Sequence, residues 1–467
     1  MAATVDHSIW MIALSSSLPF FHGSLFDVPQ TAHRPGRPAE LKIDCLVLGG
    51  EIDRASCGVP PAAAGLSGLA TAIAMKRSGH NVTVVERDPS RNKTGTGGGC
   101  RLPPNMTKIL FRWGFGDKLI EYGTKLMMLQ LYRYETGDLL GYHNFPQEML
   151  KQAGGDYVLI QYGDLWQILY EGAINAGAEV LTGMEVTAID SSNSTITVAN
   201  GDVLTADVLI GADGPLGRGR QLLLDQHRST EKMAKSWQMY ESVIPAERIQ
   251  QYPELQALMK VNFHQDRTML YFGSGRLWRF FPISQSQKYA MHYEIEDDGT
   301  AGDWGNEPNV KLSDMVANTD CEPLIRLLAD IAEPNQPPRY AYQTQLSWTT
   351  GYTIANTSSY SAKLRTRSPR GVTRLSTTDE VVLHRFFTYK PGEQQKARDE
   401  GLRSTHMMGR NDFGDSKDVT AKRWEEVKKV YAYDCEDEAD EWWVKWGLLR
   451  LKAAERNKFH SLQTPQP

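Results

Sequence analysis

The chain is poor in the residues that staple or coordinate. Its 467 residues include five cysteines, Cys45, Cys57, Cys100, Cys321 and Cys435. The number is odd and no two form a C-x-x-C pair, which argues against a disulfide framework or a thiolate zinc site. Reduced thiols in the cytoplasm are the expectation. There is no surplus of positive charge either: 51 Lys and Arg face 56 Asp and Glu, for a net charge of −5. Without a polycationic footprint, nucleic acid is not an expected partner. No apolar run approaches the roughly 20 residues that span a bilayer. Residues 9–21 are mildly apolar, but Asp6 stands where a secretory signal carries Lys or Arg. Residues 1–41 therefore read as a leader, or as translation begun too far upstream, with 29–38 as a linker. What is present is a 41% apolar composition, enough for a sizeable core in one large or two medium domains. Oligomeric state is not legible.

The first organised stretch is "KIDCLVL", residues 42–48, a short apolar run ended by glycines, as a buried parallel strand is. Residues 65–78 follow a helical pattern, with Leu66, Leu69, Ala70, Ile73 and Ala74 on one face, and Gly79 stands where a helix ends. "NVTVVE" is a second strand ending in Glu86. This strand–helix–strand order defines one βαβ unit. In that setting a G-x-G-x-x-G turn binds a pyrophosphate: its first glycine turns tightly, its second admits the phosphates, and its third lets helix and strand pack closely. Gly49 and Gly65 are expected in the first and third roles, with Gly50 beside the first. Between them "EIDRASCGVPP", residues 51–61, fits neither half; without it the turn reads G-G-A-A-A-G, with Ala62 at the middle place. The inserted stretch is either a loop over the phosphate site or mis-translated sequence. Glu86 lies 21 residues after Gly65, close to the roughly 20 expected of a carboxylate that binds ribose hydroxyls. The competing reading is a buried βαβ unit with no ligand.

Three later segments make the pattern specific: "GGGCRLPPNMTKILFRWGF" at 97–115, "IQYGDLWQILYEGAINAGAEVLTGMEVTAID" at 160–190 and "DVLIGADGPLGRGR" at 207–220. Together with the βαβ unit they resemble the FAD-dependent aromatic hydroxylases, and most of all the fungal salicylate-hydroxylase-like group. The resemblance covers about 42–330 and again about 387–445. It implies that Gly49, Gly50 and Gly65 approach the FAD pyrophosphate, that Glu86 binds the adenosine ribose, and that Gly98 and Gly99 line the flavin side. It puts Asp213, Gly214 and Arg220 in the family's second nucleotide motif, which serves both FAD and NAD(P)H. The sequence departs from the family in four places. Gly217 replaces that motif's serine. Tyr162 stands where Arg often precedes "G-D-L", and Glu241 follows Tyr240 where relatives have Arg. The third motif, G-D-x-x-P or a variant, is not spelled after any Gly-Asp pair. Where it belongs, residues 333–385 are rich in Ser, Thr and Arg with little periodicity.

The expected fold is α/β: a Rossmann-like FAD-binding domain over 42–225, a substrate-binding β-sheet domain over 226–332, an irregular segment over 333–386 and a helical region over 387–467. The implied chemistry is hydroxylation of an aromatic or enolic small molecule, with NAD(P)H and O2 as co-substrates and the flavin doing the hard step. The protein would position the ring, exclude water and help ionise a hydroxyl. Tyr240 is the catalytic candidate, set against the plainer reading of a core tyrosine, and Trp278, Phe280 and Phe281 are candidate pocket walls. A degenerate homologue that binds FAD weakly is the alternative. A halogenase is disfavoured, because "LWRFFPI" lacks the second Trp of that group's pattern.

Overall fold

The computed structural model describes residues 42–49, 65–145, 147–213, 218–219, 222, 237–256, 267–296, 311–332, 339–342, 354–355, 392–406, 428 and 431–442. The leader, the insertion at 51–61 and most of 333–386 lie outside them.

The βαβ unit forms as its sequence pattern requires. Strands β1 (Asp44–Gly49) and β2 (Asn81–Glu86) are parallel neighbours, flanked by β8 (Glu179–Thr182) and β12 (Val208–Gly211) in the order β12-β1-β2-β8. Both faces of β1 are covered, so its apolar run does not alternate with polar residues. Cys45 and Val47 face helix α1 (Leu66–Arg77), while Leu46 and Leu48 face an antiparallel meander of β9 (Val186–Asp190), β10 (Thr195–Val198) and β11 (Val203–Thr205). Gly79 ends α1 at φ +90°, a conformation that costs glycine little, and His80 N–H reaches back to the Met75 carbonyl.

The second sheet has seven strands and does not respect the expected boundary at 226. Its order is β17-β13-β16-β15-β14-β5-β6. Strands β13 (Trp237–Pro245), β14 (Arg267–Gly273), β15 (Arg276–Ile283) and β16 (Lys288–Glu296) come from the expected substrate region. The hairpin β5 (Met128–Arg133) and β6 (Leu139–Asn144) comes from within 42–225, and β5 joins β14 in parallel. The segment at 333–386 also needs correction. It contributes β17 (Arg339–Tyr342) to this sheet and β18 (Ile354–Ala355) to the first, antiparallel to β12. Short strands on a sheet edge need little periodicity of their own, because the neighbouring strand supplies the hydrogen bonds.

Strand alternation gives the second sheet two different faces. On the outer face one register row runs Tyr240, Tyr293, Trp278, Tyr271 and Tyr132, under helix α4 (Pro323–Ile331). On the inner face Leu129, Leu131, Leu270, Phe281 and Ala290 form a second core. A small sheet of β3 (Gly99–Leu102), β7 (Val158–Gln161) and β4 (Thr124–Lys125) lies between the two large sheets.

Ion pairs tie the C-terminal segments to the rest of the fold. Helix α5 (Glu393–His406) puts Asp399 2.5 Å from Arg133 of β5. Ahead of helix α6 (Cys435–Trp442), Asp434 pairs with Arg112, and Glu436 lies 2.8 Å from the same guanidinium. No helix among the described residues is long and apolar enough to cross a membrane.

Candidate cofactor and substrate site

The C-terminal ends of β1 and β2 lie side by side, with Gly49 directly opposite Glu86. Glu86 is fully buried. Its Oε1 accepts the Asp88 N–H at 2.6 Å, while Oε2 has no hydrogen-bond partner among the described residues. Burial pushes its carboxyl up to about 9, against the opposing effects of the Asp88 N–H and of Lys93. A buried carboxylate oxygen without a partner is costly unless something donates to it.

The glycine roles differ from the expected ones. A side chain on Gly65 would meet only the Ala212 carbonyl, at 4.0 Å; one on Gly68 would stand 3.5 Å from Gly49 Cα and 3.7 Å from Val47. The close helix–strand approach therefore belongs to Gly68, and Gly65 is the residue that enters the helix. The sequence signal for this contact is the G-L-S-G spacing at residues 65–68. Helix α1 has no side-chain cap at its N-terminus and no acidic residue in its first turn, which leaves its N–H groups and dipole to an anion.

A glycine turn connects this end to the second sheet. Gly95 N–H donates to Asp164 Oδ1 at 2.7 Å, and Tyr162 and Gly163 N–H donate to the carbonyls of Gly98 and Thr96, both at 2.9 Å. Any side chain on Gly163 would overlap the Lys93 carbonyl. Lys93 itself is 2.6 Å from Asp88. Tyr162 packs on Gly97, and Lys288 of β16 reaches the turn's neighbour, Gln161, at 2.9 Å.

Gly98 and Gly99 press against the inner face of the second sheet. A side chain at Gly98 would overlap the Glu241 carboxylate, and one at Gly99 would overlap Ala290 and come within 2.7 Å of the Phe281 ring. Glu241, His292 and Arg279 form one cross-strand row on this face, and Arg279 pairs with Glu294. His292 Nε2 lies 3.0 Å from the Gly99 carbonyl and 3.4 Å from Glu241. Burial, with Arg101 and Arg279 nearby, holds the His292 imidazole well below its usual range.

This arrangement moves the catalytic candidate. Tyr240 points to the outer face and is 2% exposed in the core under α4, together with Trp278 and Phe280. Of the three expected pocket aromatics only Phe281 faces inward. Asp213 accepts the Gly219 N–H at 2.9 Å, and burial raises its carboxyl above the usual range. It closes the turn after β12, whose next residue, Ala212, donates to the Leu48 carbonyl at 2.9 Å. Gly50, Gly214 and Arg220 lie outside the described residues.

The orphaned Glu86 oxygen, the uncapped α1 and the glycine strand end offer the kinds of donor and acceptor that an adenine dinucleotide needs. A second sheet roofs the glycine turn beside it. Such a pair of units defines a flavoprotein-like architecture. The chain belongs to the FAD binding domain family, whose model matches residues 62–311, more than half of the chain. The family match begins at Ala62, so the inserted stretch remains 51–61. The chain is similar to FAD-dependent monooxygenase OpS4 of Beauveria bassiana, 31% identical over 41% of the chain and 45% of that protein. It is also similar to 6-hydroxynicotinate 3-monooxygenase of Pseudomonas fluorescens, 33% identical over 34% of the chain and 41% of that protein. The chain thus matches less than half the length of either relative. Among solved structures, CtdE in complex with FAD superposes with a TM-score of 0.55 over 88% of this chain and all of CtdE, at 14% identity. At that identity the likeness is one of fold.

Proposed function

We propose that the chain is an FAD-dependent monooxygenase that uses NAD(P)H and O2 to hydroxylate an aromatic or enolic small molecule, in the cytoplasm and in secondary metabolism. The observation that carries this reading is the unpartnered Glu86 carboxylate oxygen at the end of β2, opposite Gly49 and beside the uncapped helix whose Gly68 packs on β1. Two relatives that are themselves named monooxygenases, one fungal and one acting on 6-hydroxynicotinate, support it.

In this reading Glu86 takes the ribose hydroxyls. Gly49, Gly50 and Gly65 admit the pyrophosphate to the α1 N-terminus, and Gly98 and Gly99 carry the flavin side of the turn. Asp213, Gly214 and Arg220 serve the second nucleotide motif. The flavin, when bound, supplies the redox chemistry of oxygen activation. The inner sheet face excludes water and orients the ring, with Glu241 and His292 as its polar groups. The domain division at 42–225 and 226–332 is retained for the chain order, with the β5–β6 hairpin assigned to the substrate sheet.

The test is to express the chain, measure bound flavin per protein and follow NADPH and NADH oxidation as phenolic and enolic compounds are added. Flavin-free protein that cannot be reconstituted, or oxidation indifferent to every added compound, would sink the proposal. A second reading, a copy with a weakened flavin site, is favoured by the lack of a spelled G-D-x-x-P motif. Stoichiometric FAD with ordinary turnover would rule it out.

A further inference from the structure

The glycine turn between Gly95 and Gly99 needs something to hold it. Gly95 and Gly97 stand at φ +74° and +76°, and glycine gives up more backbone freedom on being fixed than any other residue. One buried side chain joins this turn to the second sheet. Gln161, 3% exposed at the end of β7, donates from Nε2 to the Gly97 carbonyl at 2.9 Å. Its Oε1 accepts from Nζ of Lys288 on β16 at 2.9 Å. The two ends of one amide thus engage two different parts of the molecule. Lys288 also stands beside the start of the turn, where a side chain on Gly95 would lie 3.4 Å from its Nζ. Burial raises the carboxyl of Asp164, which accepts the Gly95 N–H, and the Lys288 charge opposes that rise.

The hairpin that presents Lys288 is itself pinned. Ser284, Gln285 and Ser286, between β15 and β16, all lie in the left-handed region, at φ +49°, +54° and +62°. None is glycine, and such strain persists only where neighbours impose it. Here the Gln285 amide donates to the carbonyls of Ile120 and Gly123, the second at 2.8 Å, where the helix Gly116–Tyr122 ends. The Ser286 N–H donates to Thr124 Oγ1 at 3.3 Å, and the Ala246 N–H donates to the Gln287 carbonyl at 2.9 Å. Lys288 therefore extends from a fixed point.

We infer that Gln161 and Lys288 are positioning residues, a brace in series that fixes the glycine turn against the second sheet and so sets the surroundings of the flavin side. Neither acts as a catalytic residue. His292 meets the Gly99 carbonyl directly, so the brace governs the Gly95–Gly97 half of the turn. The brace itself stands on geometry; its service to a flavin rests on the monooxygenase reading, and the two are measured separately.

The experiment uses the full chain and compares wild type with Lys288→Met, Gln161→Met and the double variant. Lys288 is half-buried, so its variant is expected to fold. If Gln161→Met gives no soluble protein, Gln161→Glu takes its place: it keeps an acceptor for Lys288 and loses the donor to Gly97. Hydrogen–deuterium exchange of the flavin-free proteins is read by peptide at 95–99 and at β14–β15. Exchange at 95–99 is expected to quicken roughly two- to ten-fold in each single variant, the range for one neutral hydrogen bond, while β14–β15 keep wild-type rates. Because the two groups act in series, the double variant exchanges no faster than the faster single one. Added FAD binds more weakly to all three variants by a similar factor, and its visible band moves from the wild-type position. Wild-type exchange at 95–99 in both single variants, effects that multiply in the double variant, or equal loosening at β14–β15 overturns the brace. Quickened exchange with wild-type FAD affinity and spectrum overturns the positioning role. A wild type that takes up no FAD refutes the monooxygenase reading, and exchange alone then decides the brace.

Discussion

Glu86 is expected to weaken the cofactor-free fold and strengthen the loaded one, and the two effects separate by pH. The carboxyl titrates near its ordinary 4.5 in the unfolded chain and near 9 when buried at the end of β2. Between those values the folded state holds a proton that the unfolded state has released. Stability therefore falls as pH rises through this window. At pH 7 the difference is 2.5 pH units above 4.5, worth about 3 kcal/mol at 1.36 kcal/mol per unit. Glu86→Gln does not titrate, and its amide oxygen still accepts the Asp88 N–H. The buried amide N–H replaces a buried acid O–H, so those two losses nearly cancel. Denaturant unfolding of flavin-stripped protein from pH 5 to 9 should show a falling curve for wild type and a flat one for the Gln variant, with the variant ahead at pH 7. Glu86→Ala should bind FAD more weakly at pH 7 by roughly 0.5 to 1.5 kcal/mol, the range for a hydrogen bond to a neutral group such as this buried acid, read by flavin fluorescence quenching. A wild-type stability that is flat across this range would refute the buried-acid argument. Unchanged flavin affinity in the Ala variant would remove Glu86 from the ribose.

Deleting residues 51–61 should raise flavin occupancy, because it joins Gly49-Gly50 to Ala62-Ala63-Ala64-Gly65, the start of the matched family domain; insoluble protein from this deletion would show the segment to be structural. Gly163→Ala should lower stability by about 1 to 3 kcal/mol, since its methyl group overlaps the Lys93 carbonyl and must push the glycine turn away; an unshifted thermal melt would contradict this. Glu294→Ala removes the carboxylate paired with the buried Arg279 guanidinium, 2% exposed, and should cost about 3 to 5 kcal/mol in denaturant unfolding. Replacing both partners with Met should recover most of that loss, and a double variant as unstable as the single one would place the cost elsewhere.

The βαβ unit was legible because its information is local. An apolar run, a small-residue helix closed by Gly79 and a strand ending in Glu86 follow from periodicity and from the φ that glycine tolerates. The fingerprint was only partly legible. Gly65 and Gly68 both suit a helix start, and which of them touches β1 depends on how the helix lies across the strand. The second sheet shows the limit most clearly. Strand alternation puts Tyr240 and Glu241 on opposite faces, yet nothing in the sequence says which face meets the glycine turn and which is covered by α4. That choice, made by packing between distant segments, sent Tyr240, Trp278 and Phe280 into the outer core. It left Glu241, Phe281 and His292 facing Gly98 and Gly99. The β5–β6 hairpin joined this sheet by a parallel pairing with β14, more than 130 residues away in sequence. The sequence by itself determined the cofactor end of the molecule, where one continuous stretch carries the geometry. The substrate face was decided only by tertiary structure, because its residues come from separate strands whose side chains take their orientation from what lies above and below the sheet.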